Sequence, residues 1–276
     1  MAWNLATSSD FEQSNTESDS RREICAVGRW MYERSFVVAS QGNLSVRLSA
    51  DRILMTPSGA CKGRLSPEDL LVTDLGGAVI RGSGRPSSEM QMHLLYYRSR
   101  PDVHAICHAH PPTATGFAAS GRALDQAVLP EVVVCLGKIP LAPYGTPGTR
   151  ELCAGLEPLV PFHDAILLEN HGVVTCGENL ATAYSRLELV EQFARIMLTA
   201  ECVGGPRLLP RAEVQKLIAA RSRYGLSCPS DTSGPPLAAE SRGEIVTLTR
   251  QELESFLEET VAKDRARRSP EHARSA

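Results

Sequence analysis

The sequence predicts an α/β fold, a sheet flanked by helices with several antiparallel pairs. Three observations carry this. Short β-type segments cluster early in the chain, amphipathic helical patterns alternate with apolar strands after them, and Gly, Asp and Pro signals punctuate both.

The elements are read in order. In "REICAVGRWMYERSFV" the apolar residues Ile24, Val27, Trp30 and Met31 recur at three- and four-residue spacing, the stripe of an amphipathic helix. Ordered structure is therefore expected from about Arg21, after a tail over residues 1–19 rich in Ser, Asn, Glu and Asp. "NLSVRLS", "RILMTPS", "LLVTD" and "AVIRG" follow as strands of an antiparallel region. "SSEMQMHLLYYRS" reads as a helix with Ser87 or Ser88 as N-cap and Pro101 marking its end. "VHAICHAH" is a strand, and a helical pattern starts after Pro111 and Pro112. "KIPLAP" and "AILLEN" are further strands with the helix "TRELCAGLEPLV" between them, and "NLATAYSRLELVEQFARIMLTAEC" is a long amphipathic helix. The Pro-, Ser- and Gly-rich stretch 228–243 is a linker, and Thr249 with Glu252 forms a capping box opening one terminal helix. The division is thus a tail (1–19), one domain (20–227) and a linker with a C-terminal extension (228–276).

Composition narrows the function. The chain has 276 residues, 42% hydrophobic and 22% charged, with a formal net charge of -3, which argues against a polyanion-binding surface and hence against nucleic acid. No apolar run reaches transmembrane length, and the first twenty residues lack the basic start and apolar middle of a secretory signal, so no membrane role is expected and the location should be cytoplasmic. The eight cysteines form no C-x-x-C pair, so they read as reduced thiols.

The stretch "HAICHAHPP" raises the first functional question. Side chains alternate across a strand, so His104, Ile106, His108 and His110 share one face. Two residues of strand advance about 6.6 to 6.8 Å, so His108 and His110 can converge on one ion at metal–nitrogen distances near 2 Å. A pair of core or rim histidines held by hydrogen bonds fits the same pattern. A catalytic zinc usually takes three protein ligands, and His171 in "AILLENHGVV", where an apolar strand gives way to a polar turn, is the candidate for the third. His104 lies further back and reads as structural, and His93 as a support for the neighbouring strand. Three polar segments compete as anion cradles: Asn43 in "QGNLSVR", Ser58 and Gly59 in "TPSG", and Ser87 and Ser88 in "RPSSE", where a helix start offers free N–H groups. Glu89 follows them, either as a proton-handling carboxylate or metal ligand, or as an ordinary first-turn helix acid.

Taken in order, "GNLSVR", "TPSG", "RPSSE", "HAH" and "ENHG", with "APYGTPGTREL", resemble the class II aldolase/adducin family, in its fuculose-phosphate aldolase-like branch. The resemblance runs from about Arg21 to about Gly205. It implies a three-layer α/β/α fold with a central, mostly antiparallel sheet, and a C4 homotetramer with sites between neighbouring subunits. It makes His108, His110 and His171 ligands of zinc or another divalent transition metal. It also makes Asn43, Ser58, Gly59, Ser87 and Ser88 phosphate ligands and Glu89 the general acid/base. The implied reaction is cleavage of a small ketose 1-phosphate to dihydroxyacetone phosphate and an aldehyde, the metal acting as Lewis acid toward an enediolate. Glu in "SSEMQMH", where 4-epimerase relatives carry Asp, favours aldolase over epimerase. Methylthioribulose-phosphate dehydratases and sugar-acid-phosphate decarboxylases share these residues and stay open. A non-catalytic adducin-like scaffold would need none of His108, His110, His171 and Glu89, and a cupin-type barrel would want a Glu just past the histidine pair. In one place the chain departs from the branch: before the strand corresponding to "VVVCLGKIP" the branch carries an intersubunit tyrosine, and here "AVLPEVV" has none, leaving Tyr224 to be considered in its place.

Overall fold

The computed structural model describes residues 16–224. The linker at 228–243 and the terminal helix opening at Thr249 lie outside them. The first helix, α1 (Glu17–Glu33), starts ahead of the boundary that composition indicates. The reason is a capping box: Thr16 Oγ1 accepts from the Asp19 N–H at 3.2 Å, and the Asp19 carboxylate accepts from the Thr16 N–H at 3.1 Å.

Strands β1 (Asn43–Arg47), β2 (Arg52–Met55), β3 (Leu71–Asp74) and β4 (Val79–Arg81) form the antiparallel region that the β-type segments and their turn signals predict. After them come α2 (Met90–Ser99), β5 (Ala105–Ala109), α3 (Pro112–Ala119), α4 (Pro130–Cys135), β6 (Leu141–Ala142), α5 (Arg150–Leu156) and β7 (Ala165–Leu168). The last elements are β8 (Gly172–Gly177), α6 (Leu180–Cys202) and α7 (Arg211–Ala220). The strands join in one sheet of order β4-β3-β2-β1-β5-β8-β7-β6, antiparallel at every step except β6 with β7.

Strand parity divides the core. Ala105, Cys107 and Ala109 of β5 join Leu44, Leu54, Leu167 and Val173 under α1, α3, α4 and α6. Ile106 turns the other way and joins Ile53, Met55, Ile166 and Val174 under α2 and α5. The result is the three-layer α/β/α arrangement with a mostly antiparallel sheet.

Two strand expectations change, and one strand is an addition. The valine run read as part of a strand is the helix α4: Pro130 sits at its first turn, where a fixed φ and a missing N–H cost nothing, and Gly137, at φ 71, follows its end. A short apolar run cannot be told from a buried helical turn by periodicity alone. The strand β8 is not separately legible in "HGVVTCG", because it is buried on both faces and shows no alternation. The strand read in "KIPLAP" shrinks to the two residues of β6.

A buried ion network ties α6 to the sheet. Asp164 accepts from Arg100 Nη2 and from Arg186 Nη2, each at 2.8 Å, with only 4% of the Asp164 side chain and 8% of that of Arg100 exposed. Asp164→Ala leaves the Arg100 guanidinium with the exposed Asp102 as its one remaining carboxylate partner. Removing one partner of a buried pair costs about 3–5 kcal/mol. A urea titration should show the lower midpoint at unchanged slope.

Candidate metal centre

His108 sits in β5, fully buried, on the face covered by α2. His110 follows directly after β5, its N–H donating to the Phe36 carbonyl at 2.9 Å, and Pro111 and Pro112 then start α3. His171 comes from the turn between β7 and β8, where Asn170 takes a left-handed φ of 53° that a short polar side chain tolerates. Antiparallel pairing of Ala109 with Val173 brings that turn beside the end of β5. Residues 61 positions apart thus meet through sheet register.

The three imidazoles offer one nitrogen each within 4.8 Å of one another, and the Nε2 atoms of His108 and His110 are 3.2 Å apart. Two ligand nitrogens on one tetrahedral ion with bonds near 2 Å stand about 3.3 Å apart. His108 Nδ1–H donates to the Val173 carbonyl at 2.9 Å, which leaves Nε2 as the bare donor atom. His171 keeps a buried Nδ1 without a hydrogen-bond partner among the described residues. These features fit a divalent metal. His104, by contrast, is exposed ahead of β5 and outside the group.

Gly172 makes the cluster possible. A Cβ there would stand 2.5 Å from His110 Cδ2 and 2.6 Å from the Ala109 carbonyl oxygen, and the latter cannot yield without breaking the β5–β8 pair. Gly172→Ala should therefore weaken metal binding by about 10–100-fold, the range of a disturbed ligand orientation, in a chelator competition assay.

Glu89 occupies the N-cap position of α2 in place of the expected Ser87 or Ser88, and its side chain caps nothing. The carboxylate turns to the histidines instead. Its Oε2 lies 3.1 Å from His108 Nε2 and accepts from Asn43 Nδ2 at 2.9 Å, and its Oε1 lies 3.0 Å from His171 Nε2. Burial would raise this carboxyl, but His108 and His171 close beside it, when protonated, hold it well below the ordinary carboxylate range. Burial likewise opposes the charge on His108, and Glu89 overrides it, so His108 is raised above the ordinary imidazole value. Burial and the neighbouring His108 push His110 down to about 3.

Opposite shifts on two ligands predict how metal is lost on acidification. A raised His108 already binds a proton above pH 6.5, the ordinary imidazole value, whereas His110 binds one only near pH 3. Proton competition should therefore begin with His108, and Glu89→Gln should move metal release to lower pH, because it removes the charge that favours imidazolium. Metal content measured after equilibration across pH 4–8 checks this.

The anion-cradle segments come together at the rim. Leu44 N donates to Thr56 Oγ1 at 3.2 Å, Pro57 and Pro86 form a β-bridge, and Ser58 N donates to the Arg85 carbonyl at 2.9 Å. Ser58, Gly59 and Ser88 are exposed and Ser87 half-buried, so this edge is open to solvent beside buried Glu89. Gly148 packs against Ser88, its Cβ position 3.1 Å from the Ser88 carbonyl oxygen, which sets "GTPGT" over the start of α2. Asn43 is engaged through both ends of its amide, with Glu89 and with His93. The side chain of Tyr224 lies outside the described residues.

Lys62 was not singled out from sequence. It is 2% exposed and donates to the carbonyls of Ser40 and Ala60 at 2.9 and 2.6 Å, joining the segments that precede Asn43 and follow Gly59. Burial brings it down to about 8. A lysine in "SGACKGR" reads as surface, and no local signal marks it as buried.

The model of the class II aldolase and adducin N-terminal domain matches residues 22–198. The chain is 35% identical over 207 residues to a 5-deoxy-D-ribulose 1-phosphate aldolase of Bacillus thuringiensis, covering 74% of this chain and 96% of that protein. It is 34% identical over 194 residues to a 3-oxo-tetronate 4-phosphate decarboxylase of Escherichia coli, covering 68% and 90%. The solved structure of an L-fuculose 1-phosphate aldolase superposes with a TM-score of 0.70 at 31% identity, covering 78% of this chain and all of that one.

Proposed function

Because this chain belongs to the class II aldolase and adducin family, we propose that it is a zinc-dependent lyase cleaving a small ketose 1-phosphate to dihydroxyacetone phosphate and an aldehyde. The observation that carries the reading is the Glu89 carboxylate held between His108 and His171, beside the third imidazole of His110. A scaffold has no use for a buried carboxylate among three histidines.

Zinc held by His108, His110 and His171 would supply Lewis-acid stabilisation of the charge that develops on the substrate oxygens. The chain's own residues do the rest. Ser58, Gly59, Ser87, Ser88 and Asn43 bind and orient the phosphate, Ser58 through its hydroxyl and Ser87 and Ser88 through hydroxyls and N–H groups near the start of α2. Glu89, within hydrogen-bond reach of two ligand imidazoles, moves the proton to and from the enediolate carbon. Exposed Trp30, Tyr32 and Val38, on α1 and just after it, support assembly as a C4 homotetramer, for which a native mass of four chains is expected by light scattering.

A second reading rests on the missing tyrosine together with the 34% identity to the decarboxylase. Aldol cleavage needs a group that takes the proton of the breaking alcohol as well as one that protonates the enediolate carbon. Loss of carbon dioxide from a 3-oxo acid leaves the same enediolate and needs only the second, which Glu89 can supply. Metal analysis followed by a screen of ketose 1-phosphates for dihydroxyacetone phosphate release tests the first reading. No release with zinc bound, and carbon dioxide release from a 3-oxo-4-phospho acid, would replace it by the second.

A further inference from the structure

A continuous line of buried polar groups runs behind Glu89. Asn43 and Ser45, two apart on β1, share the face that also carries His108. Glu89, His93 and Tyr97, four apart along and just before α2, face them. The contacts join end to end: Tyr97 OH to Ser45 Oγ at 2.8 Å, Ser45 Oγ to His93 Nδ1 at 2.6 Å, His93 Nε2 to Asn43 Oδ1, and Asn43 Nδ2 to Glu89 Oε2 at 2.9 Å. None of Asn43, Ser45, His93 and Tyr97 is more than 4% exposed.

The direction of every hydrogen bond in this line follows from its end. An ionised carboxylate only accepts, so the atom of Asn43 that meets Glu89 must be the NH2 group and the atom that meets His93 must be the carbonyl oxygen. That oxygen also only accepts, so His93 Nε2 must carry a hydrogen. A neutral imidazole then has a bare Nδ1, which must accept from the Ser45 hydroxyl, and the Ser45 oxygen in turn accepts from Tyr97. Burial, with the charge of His108 beside it, brings His93 down to about 3, in accord with a neutral ring.

We propose that His93 is a positioning residue whose Nε2–H holds the Asn43 amide in one of its two flips, keeping the NH2 group turned to Glu89 and to a substrate phosphate. Without that donor the amide is held at its NH2 end alone, and its oxygen, left buried with no donor, no longer fixes the plane in which the NH2 group meets Glu89 and the anion. The benefit to substrate binding rests on the function proposed above, whereas the tautomer of His93 does not.

Two measurements test the inference. The first is the 15N NMR signature of His93 in the full chain, assigned by comparison with a His93→Gln protein. A protonated Nε2 with a bare Nδ1, unchanged between pH 5 and 9, is expected. A ring protonated on Nδ1, or on both nitrogens, overturns the proposal. The second is the affinity for inorganic phosphate of the zinc-loaded protein. His93→Leu should weaken it about tenfold, the cost of one misdirected hydrogen bond to a charged group. His93→Gln, whose amide N–H reaches where Nε2–H stood, should restore most of it. In an Asn43→Ala background the His93→Leu change should cost nothing more, because its effect passes through Asn43. Equal losses in both backgrounds overturn the proposal. If the wild-type protein binds no phosphate the functional reading fails, and if the His93→Leu protein does not fold the tautomer measurement decides.

Discussion

Replacing His108 by alanine is expected to leave a folded protein that holds no stoichiometric metal and has lost at least about 10³-fold in kcat/KM, since a Lewis acid contributes several kcal/mol to charge stabilisation. His108 has the largest expected effect among the three because it serves twice. It offers Nε2 beside that of His110 at 3.2 Å, and after burial it is the strongest influence on Glu89, whose carboxylate lies 3.1 Å from it. Elemental analysis of the purified protein and a rate measurement on the same sample check this. His104→Ala is the control, since that ring is exposed and outside the cluster, and it should keep both metal and rate. Full metal content and normal turnover in His108→Ala would remove the metal centre from the account.

Glu89→Gln separates proton transfer from metal binding. The amide has the shape of the carboxylic acid but cannot take up and return a proton. A positioned acid or base contributes roughly 10²–10⁴-fold, and kcat should fall by that amount while zinc stays bound. KM should change less, because the proposed phosphate contacts at Ser58 and Ser88 do not pass through the carboxylate. A loss of metal in step with the loss of rate would instead make Glu89 a metal ligand, with no separate role in proton transfer.

The fold was legible wherever the pattern was local. The β-type residues and bounding turn signals of β1 to β3, the stripe of α1 and the amphipathic pattern of α6 are local features, which each segment carries within itself. The α4 helix and β8 strand were not legible, because Val132 to Val134 and Val173 to Thr175 are buried on all sides and show no period. In the site, parity put His108 and His110 on one face of β5 together with His104, and only the distance along the chain set His104 apart. The residue types at 89, 108, 110 and 171 allowed a metal and proton chemistry but equally a structural role, and only the resemblance of five ordered segments to a family joined them into one site.

By itself, then, the sequence determined which side chains could bind a metal or move a proton, since those properties belong to the residue and to its place in a strand or helix. Tertiary structure alone decided which of them meet. His171 reaches His108 only through the register of β5 on β8, and Glu89 faces them because its side chain leaves the cap of α2. Asn43 shows its NH2 group to Glu89 and its oxygen to His93, two residues that lie far from it in the chain. Such choices are made by hydrogen bonds between groups far apart in the chain, whose directions no local pattern encodes.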